Sequence, residues 1–110
     1  MSAVLTRLEA VIVARREALA ADPAIATQSH VARMLARGLP KVAEKLGEEA
    51  VETVVAALAE SDARLAAEAA DLLFHLLVLL AARGVPLAAV LAELEQREGV
   101  SGLAEREQRR

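Results

Sequence analysis

Residues 68–80 read EAADLLFHLLVLL, and they are the most informative segment of the chain. Its polar side chains are Glu68, Asp71 and His75, and at about 100° per residue they fall on one narrow stripe of a helix. Every other position is Ala, Leu, Val or Phe, so we expect a helix that is buried on nearly all sides. Carboxylates in such surroundings cost free energy unless a cation pairs with them. The stretch therefore predicts a core helix that carries a polar site.

The apolar run around this stretch argues against a membrane partner. Residues 69–82 span 14 positions and include Asp71 and His75, whereas a helix that crosses a bilayer takes ~20 mostly apolar residues. The first ten residues carry Arg7 and Glu9 and lack the layout of a secretory signal. We therefore expect a cytoplasmic protein with no membrane-spanning segment.

The composition favours helices along the whole chain. Of 110 residues, 26 are Ala and 18 are Leu, and aromatic residues make up 1 %, a balance that favours helix over sheet. Cysteine is absent, which excludes a disulfide scaffold and cysteine zinc sites. The net charge of −3 and the single Phe argue against a nucleic-acid partner. A short chain with 55 % hydrophobic residues buries its surface better as an oligomer, and we expect a homodimer.

Turn and capping residues divide the chain into five predicted helices. We expect these at about residues 3–20, 30–37, 40–60, 63–82 and 86–98. The predicted fold class is all-α, a four- to five-helix bundle that dimerisation completes. We expect one domain at residues 1–98, followed by a polar tail at residues 99–110.

The third predicted helix carries a second group of acids. Glu48, Glu49 and Glu52 lie in its middle, and a short connection makes the third and fourth helices antiparallel, so these acids can face Glu68 and Asp71. Oxygen ligands without cysteine select a hard cation, Mg²⁺ or Mn²⁺. Taken alone, the third helix is an ordinary amphipathic helix with a solvated acidic face, and it is the fourth helix that favours the metal site.

Basic residues accompany these acids. Mg²⁺ held by a few carboxylates commonly also contacts phosphate oxygens, and neighbouring Lys and Arg side chains would hold the remaining phosphate charge. The candidate phosphate-binding residues are Lys41, Lys45, Arg33 and Arg37. Alternatively, these cations balance the charge of the acids beside them. The residues thus predict a metal-assisted enzyme that acts on a polyphosphate.

The two acidic blocks resemble a known protein family. The pattern EExxE at residues 48–52, followed by ExxD at residues 68–71, matches the signature of the MazG-like all-α nucleotide pyrophosphatases. The longer stretches at residues 38–52 and 68–80 resemble the phosphoribosyl-ATP pyrophosphatases within that superfamily, and the resemblance covers residues 5–97. It implies a MazG-like bundle and Mg²⁺-dependent hydrolysis of phosphoribosyl-ATP to phosphoribosyl-AMP and pyrophosphate, the second step of histidine biosynthesis.

The resemblance also implies roles for individual residues. The family's metal-binding acids carry over onto Glu48, Glu49, Glu52, Glu68 and Asp71. The candidate catalytic carboxylates, one of which would hold the attacking water, are Glu48, Glu49 and Glu44. Glu44 could instead be an outer ligand or a solvated helix residue. We expect His75 to make a hydrogen bond to Asp71 from outside the ligand set.

Two positions depart from the family pattern. Ser29-His30-Val31 stands where the family often has Ser-Tyr-Thr, and Phe74 stands where it commonly has Tyr. An aromatic hydroxyl is therefore missing at both places. Two other functions remain open from the sequence: a MazG-like pyrophosphatase for ordinary or damaged (d)NTPs, and a non-catalytic helical module that assembles other proteins.

Overall fold

The structure is a computed structural model that describes residues 3–98. Nearly all of these residues are helical. No strand occurs in this range, and the all-α prediction is confirmed. The five α-helices, each ending within one residue of its predicted bounds, are α1 (Ala3–Ala21), α2 (His30–Ala36), α3 (Leu39–Ala59), α4 (Asp62–Arg83) and α5 (Leu87–Arg97). The tail predicted at residues 99–110 lies outside the described residues.

Local capping interactions set several of these helix ends. The Ser29 hydroxyl accepts a hydrogen bond from the Ala32 N–H (3.1 Å) at the start of α2, and the Ser61 hydroxyl caps α4 in the same way. Gly84 ends α4 with φ +74°, a left-handed conformation that suits glycine. The sequence analysis did not anticipate the short 3₁₀ helix Pro23–Thr27, which begins where Asp22 accepts a hydrogen bond from the Ala24 N–H.

The hydrophobic core lies around the second half of α4. Each of the five helices contributes to it, and its buried members are Ile12, Met34, Val42, Leu77, Val78, Ala81 and Leu87. Two long-range hydrogen bonds hold α1 against this region. Arg16 donates to the Ala81 carbonyl (2.9 Å), and Glu9 accepts from the Leu87 N–H (2.6 Å) at the start of α5.

The expectation that α4 is buried on nearly all sides is wrong for its first half. There Leu73 is 47 % exposed and Asp71 is exposed, and the facing part of α3 exposes apolar residues too. The exposed apolar side chains of this hairpin are Val51, Val54, Val55, Leu58 and Leu73. The prediction was derived from the composition of one helix, but a chain this short supplies too few neighbouring helices to cover both faces.

Among the described helices, α4 is long and apolar enough to cross a membrane by length and composition alone. Core helices of globular proteins meet the same criterion. Here α4 carries the buried polar residues Glu68 and His75, and its second half supplies the core. Its hydropathy alone therefore does not indicate a membrane protein.

Candidate metal and phosphate site

Carboxylates from α3 and α4 meet in the middle of the helical hairpin. One oxygen from each of Glu49, Glu68 and Asp71 lies within 4.8 Å of the other two, and we call these residues the acidic cluster. Glu49 and Glu68 are each 7 % exposed, whereas Asp71 opens to solvent. Several carboxylate oxygens converging on one point are the arrangement that a hard divalent cation requires.

Helical spacing and one hydroxyl bring these acids together. Glu68 and Asp71 are three residues apart, so both lie on the face of α4 that meets α3. The Thr53 hydroxyl donates to the Glu49 carbonyl (2.8 Å) and lies 3.2 Å from the Glu68 carbonyl. Thr53 thus links the backbones of the two helices at the level of the acidic cluster.

The buried acids are poorly satisfied within the described chain. One oxygen of Glu49 (Oε2) and one of Glu68 (Oε2) have no hydrogen-bond partner there. Burial raises the pKa of Glu49, the Glu52 carboxyl and the charge of Asp71 add to the rise, and His75 opposes it. A bound cation would satisfy both oxygens and offset the repulsion, so these residues fit a metal site.

The Glu68 carboxylate is also buried, but one of its oxygens pairs with Arg64. Burial raises its pKa first of all, the Glu52 carboxyl adds to the rise, and the Arg64 guanidinium opposes it. Arg64 Nη2 lies 2.7 Å from Glu68 Oε1, and its Nε lies 3.3 Å from Glu60. The sequence analysis missed Arg64 as a partner, although its spacing of four residues from Glu68 on one helix would have indicated it.

His75 contacts Asp71 through the backbone. Its Nδ1 donates to the Asp71 carbonyl oxygen (2.7 Å), and the ring is 6 % exposed. This bond requires a proton on Nδ1 and leaves Nε2 as an acceptor in the neutral ring. His75 is thereby held in one orientation against the acidic cluster.

A cavity of about 320 Å³ has in its lining Glu48, which precedes Glu49 of the acidic cluster in α3. Residues of α2, of the turn after it and of the first half of α3 line this cavity, and we call it the basic cavity because the four predicted phosphate-binding residues all belong to its lining. The lining residues are His30, Arg33, Met34, Arg37, Lys41, Val42, Glu44, Lys45 and Glu48. The structure thus brings residues from two helices into one positively charged pocket.

Two predicted acids face this cavity instead of joining the acidic cluster. Glu44 lies 3.4 Å from the Lys41 amine, and Glu48 lies 3.6 Å from the Lys45 amine. Both pairs are exposed, and such pairs contribute only about 0–1 kcal/mol to stability. Glu52 is exposed as well, but it adjoins the acidic cluster through Glu49 and Glu68.

Comparison with known proteins relates the chain to one family. A family model described as phosphoribosyl-ATP pyrophosphohydrolase matches residues 8–98, a range that contains the acidic cluster and the basic cavity. Three relatives carry the name phosphoribosyl-ATP pyrophosphatase. The relative from Erythrobacter litoralis is 63 % identical over 105 residues, which cover 96 % of this chain and 95 % of the relative. The relative from Rhizorhabdus wittichii is 59 % identical (96 % and 94 % covered), and that from Dinoroseobacter shibae is 56 % identical (96 % and 98 % covered).

Proposed function

The chain belongs to the phosphoribosyl-ATP pyrophosphohydrolase family, and on that premise we propose that it hydrolyses phosphoribosyl-ATP to phosphoribosyl-AMP and pyrophosphate in histidine biosynthesis. The observation that carries this proposal is that two consecutive residues of α3 belong to opposite charge environments. Glu49 is part of the acidic cluster, which leaves buried carboxylate oxygens without partners, and Glu48 lines the basic cavity, which gathers four cations. A triphosphate ester with its divalent cation is complementary to both.

Mg²⁺, with Mn²⁺ as an alternative, is the proposed cofactor. Glu49, Glu68 and Asp71 would hold it, with Glu52 at the edge, because their donor atoms are all carboxylate oxygens. When bound, such a cation withdraws charge from phosphate oxygens and lowers the pKa of bound water. The chain's own residues contribute the placement of these oxygens and the exclusion of water from Glu49 and Glu68.

The basic cavity would bind the phosphates of the substrate. Arg33, Arg37, Lys41 and Lys45 offer guanidinium and ammonium donors to phosphate oxygens. In the structure the two lysines contact Glu44 and Glu48 at 3.4–3.6 Å. Because these exposed pairs are weak, a phosphate can displace the carboxylates at little cost.

The same displacement frees carboxylates for the reaction. Hydrolysis breaks the α–β anhydride with one water, which gives up a proton as its oxygen bonds to phosphorus. Attack at the α phosphorus places that oxygen on phosphoribosyl-AMP and expels pyrophosphate, whereas attack at the β phosphorus places it on pyrophosphate and expels phosphoribosyl-AMP. Glu48 and Glu44 line the cavity that would hold the phosphates, so either could accept a hydrogen bond from the attacking water. Glu49, which is buried in the acidic cluster, would act through the cation.

A second copy of the chain is part of the proposal. The hairpin of α3 and α4 exposes a row of valines and leucines, and Leu58 is 83 % exposed. A self-associating surface would remove these side chains from water. We expect Leu58→Glu to convert a dimer into a monomer in size-exclusion chromatography with light scattering, and Leu58→Met to leave the mass unchanged. A Leu58→Glu protein of dimeric mass would contradict this interface.

The activity itself is tested with purified protein and phosphoribosyl-ATP. We expect pyrophosphate release that requires Mg²⁺ or Mn²⁺ and that EDTA stops. Ordinary nucleotides such as dCTP and dUTP, assayed in parallel, should be poor substrates. Faster cleavage of dCTP or dUTP would instead support a general nucleotide pyrophosphatase, and full activity in EDTA would exclude the proposed cofactor.

A further inference from the structure

The aromatic rings of the chain lie together beside the basic cavity. The sequence contains one Phe, two His, and neither Tyr nor Trp. Phe74 stacks nearly parallel to His30, with an interplanar angle of 12° and ring centroids 6.5 Å apart, and it meets the edge of His75 at 5.1 Å. The buried residues of the hydrophobic core are all aliphatic or Met, and Phe74 packs against them. Neither histidine belongs to this core, so core packing does not explain why the two imidazole rings lie next to Phe74.

Of the three rings, His30 is the one that is open to a ligand. His75 is 6 % exposed and its Nδ1 is bonded to the Asp71 carbonyl. Phe74 is half-buried and has His30 along one side and His75 on another. His30 is exposed and lines the basic cavity, so its imidazole is accessible to a ligand bound there.

Helical spacing directs this ring and the phosphate-binding cations into one cavity. His30, Arg33 and Arg37 are three and four residues apart along α2 and its C-terminal cap, so they share one face. A nucleotide whose phosphates contact Arg33 and Arg37 therefore occupies a cavity whose lining also includes His30. Bases bind proteins by stacking on flat side chains, and the two-ring purines offer the larger face.

We infer that His30, supported from behind by Phe74, is the surface on which the purine base of the substrate stacks. This inference rests on the proposed function, since it concerns the nucleotide that the basic cavity would bind. It assigns to His30 a binding and specificity role, and it separates that role from phosphate binding by the neighbouring cations. The alternative is that the imidazole binds a phosphate oxygen.

Two substitutions separate stacking from hydrogen bonding. His30→Phe keeps an aromatic face and removes both ring nitrogens, whereas His30→Gln keeps a hydrogen-bonding group and removes the ring. For His30→Gln we expect the KM for phosphoribosyl-ATP to rise about tenfold, the effect of losing one stacked base, with kcat changed less than about twofold. For His30→Phe we expect a KM within about twofold of the wild type, because stacking is restored.

Binding measurements make the result independent of turnover. In calorimetry, His30→Gln should weaken AMP binding about tenfold and leave binding of inorganic pyrophosphate, which has no base, unchanged. Loss of affinity in His30→Phe with retention in His30→Gln would overturn the inference in favour of a phosphate contact, and unchanged AMP binding in both would also overturn it. A wild type that binds AMP but does not cleave phosphoribosyl-ATP would refute the proposed function, while the AMP titrations would still decide the role of His30.

Discussion

Glu48 and Glu49 are adjacent in α3, yet they lie in opposite electrostatic environments. Glu49 is 7 % exposed, belongs to the acidic cluster and has an oxygen without a partner in the described chain. The Glu48 side chain is 51 % exposed, contacts Lys45 and lines the basic cavity. One helical step of about 100° separates the two directions. The same short segment of α3 therefore carries one residue of the proposed cation site and one residue of the proposed phosphate site.

This difference shows where the fold accepts an energetic cost. A carboxylate at the position of Glu48 is hydrated and paired, so it costs little. A carboxylate at the position of Glu49 is desolvated and close to other acids, and a change to an uncharged residue would relieve that repulsion. Groups held in such an unfavourable state occur preferentially at functional sites. The buried member of the pair is thus the better marker of the cation site.

The largest expected effect is on turnover, and the adjacent pair supplies its own control. Glu49→Gln should lower kcat for pyrophosphate release by at least about 100-fold, because it removes a charged ligand from the proposed cation site. Glu48→Gln should lower kcat less, because Glu44 lines the same cavity and offers a second carboxylate to the attacking water. Steady-state assays over a range of Mg²⁺ concentrations measure both, and circular dichroism verifies that the helices remain.

The Mg²⁺ dependence sharpens the contrast. Glu49→Gln should require far more Mg²⁺ for half-maximal activity, whereas Glu48→Gln should follow the wild-type curve. If the two variants lost activity equally and with the same Mg²⁺ dependence, the proposed division into a cation side and a phosphate side would be wrong. Full turnover in Glu49→Gln would remove Glu49 from the metal site.

The sequence predicted the parts of this arrangement that depend on local interactions. Helix ends follow from caps such as Ser29 and Ser61, and these depend on a few neighbouring residues. The spacing of Glu68 and Asp71 places both on one stripe of α4, but the apolar pattern did not reveal that Glu68 is buried and Asp71 exposed. The choice between Glu48 and Glu49 was not predictable either, because it depends on how α3 is rotated against α4, which the packing around Thr53 fixes. The exposed face of the hairpin depends on neighbours that a single helix pattern does not reveal.

The smallest expected effect is on the stability of the protein without a cation. Here Glu49→Gln should be beneficial, whereas it should be harmful to catalysis. Folding raises the pKa of Glu49, chiefly by burial, so its contribution to stability is fully present below the pKa of the unfolded chain. That contribution is lost as the pH rises through the higher pKa of the folded protein. In EDTA, Glu49→Gln should therefore have a Tm several degrees above the wild type at about pH 8 and close to it at about pH 4.

Thermal denaturation in EDTA across this pH range, followed by circular dichroism, measures the difference in Tm between Glu49→Gln and the wild type. Contributions from groups that titrate alike in both proteins cancel in this difference. Glu48→Gln is the matched control, because it removes a neighbouring carboxylate that is exposed and paired with Lys45 instead of buried. Saturating Mg²⁺ should reverse the order of Glu49→Gln and the wild type, since the ligand stabilises the form that binds it. A Glu49→Gln protein that is less stable than the wild type in EDTA at about pH 8 would mean that its carboxylate is satisfied without a cation, and the buried charge would then be no guide to the metal site.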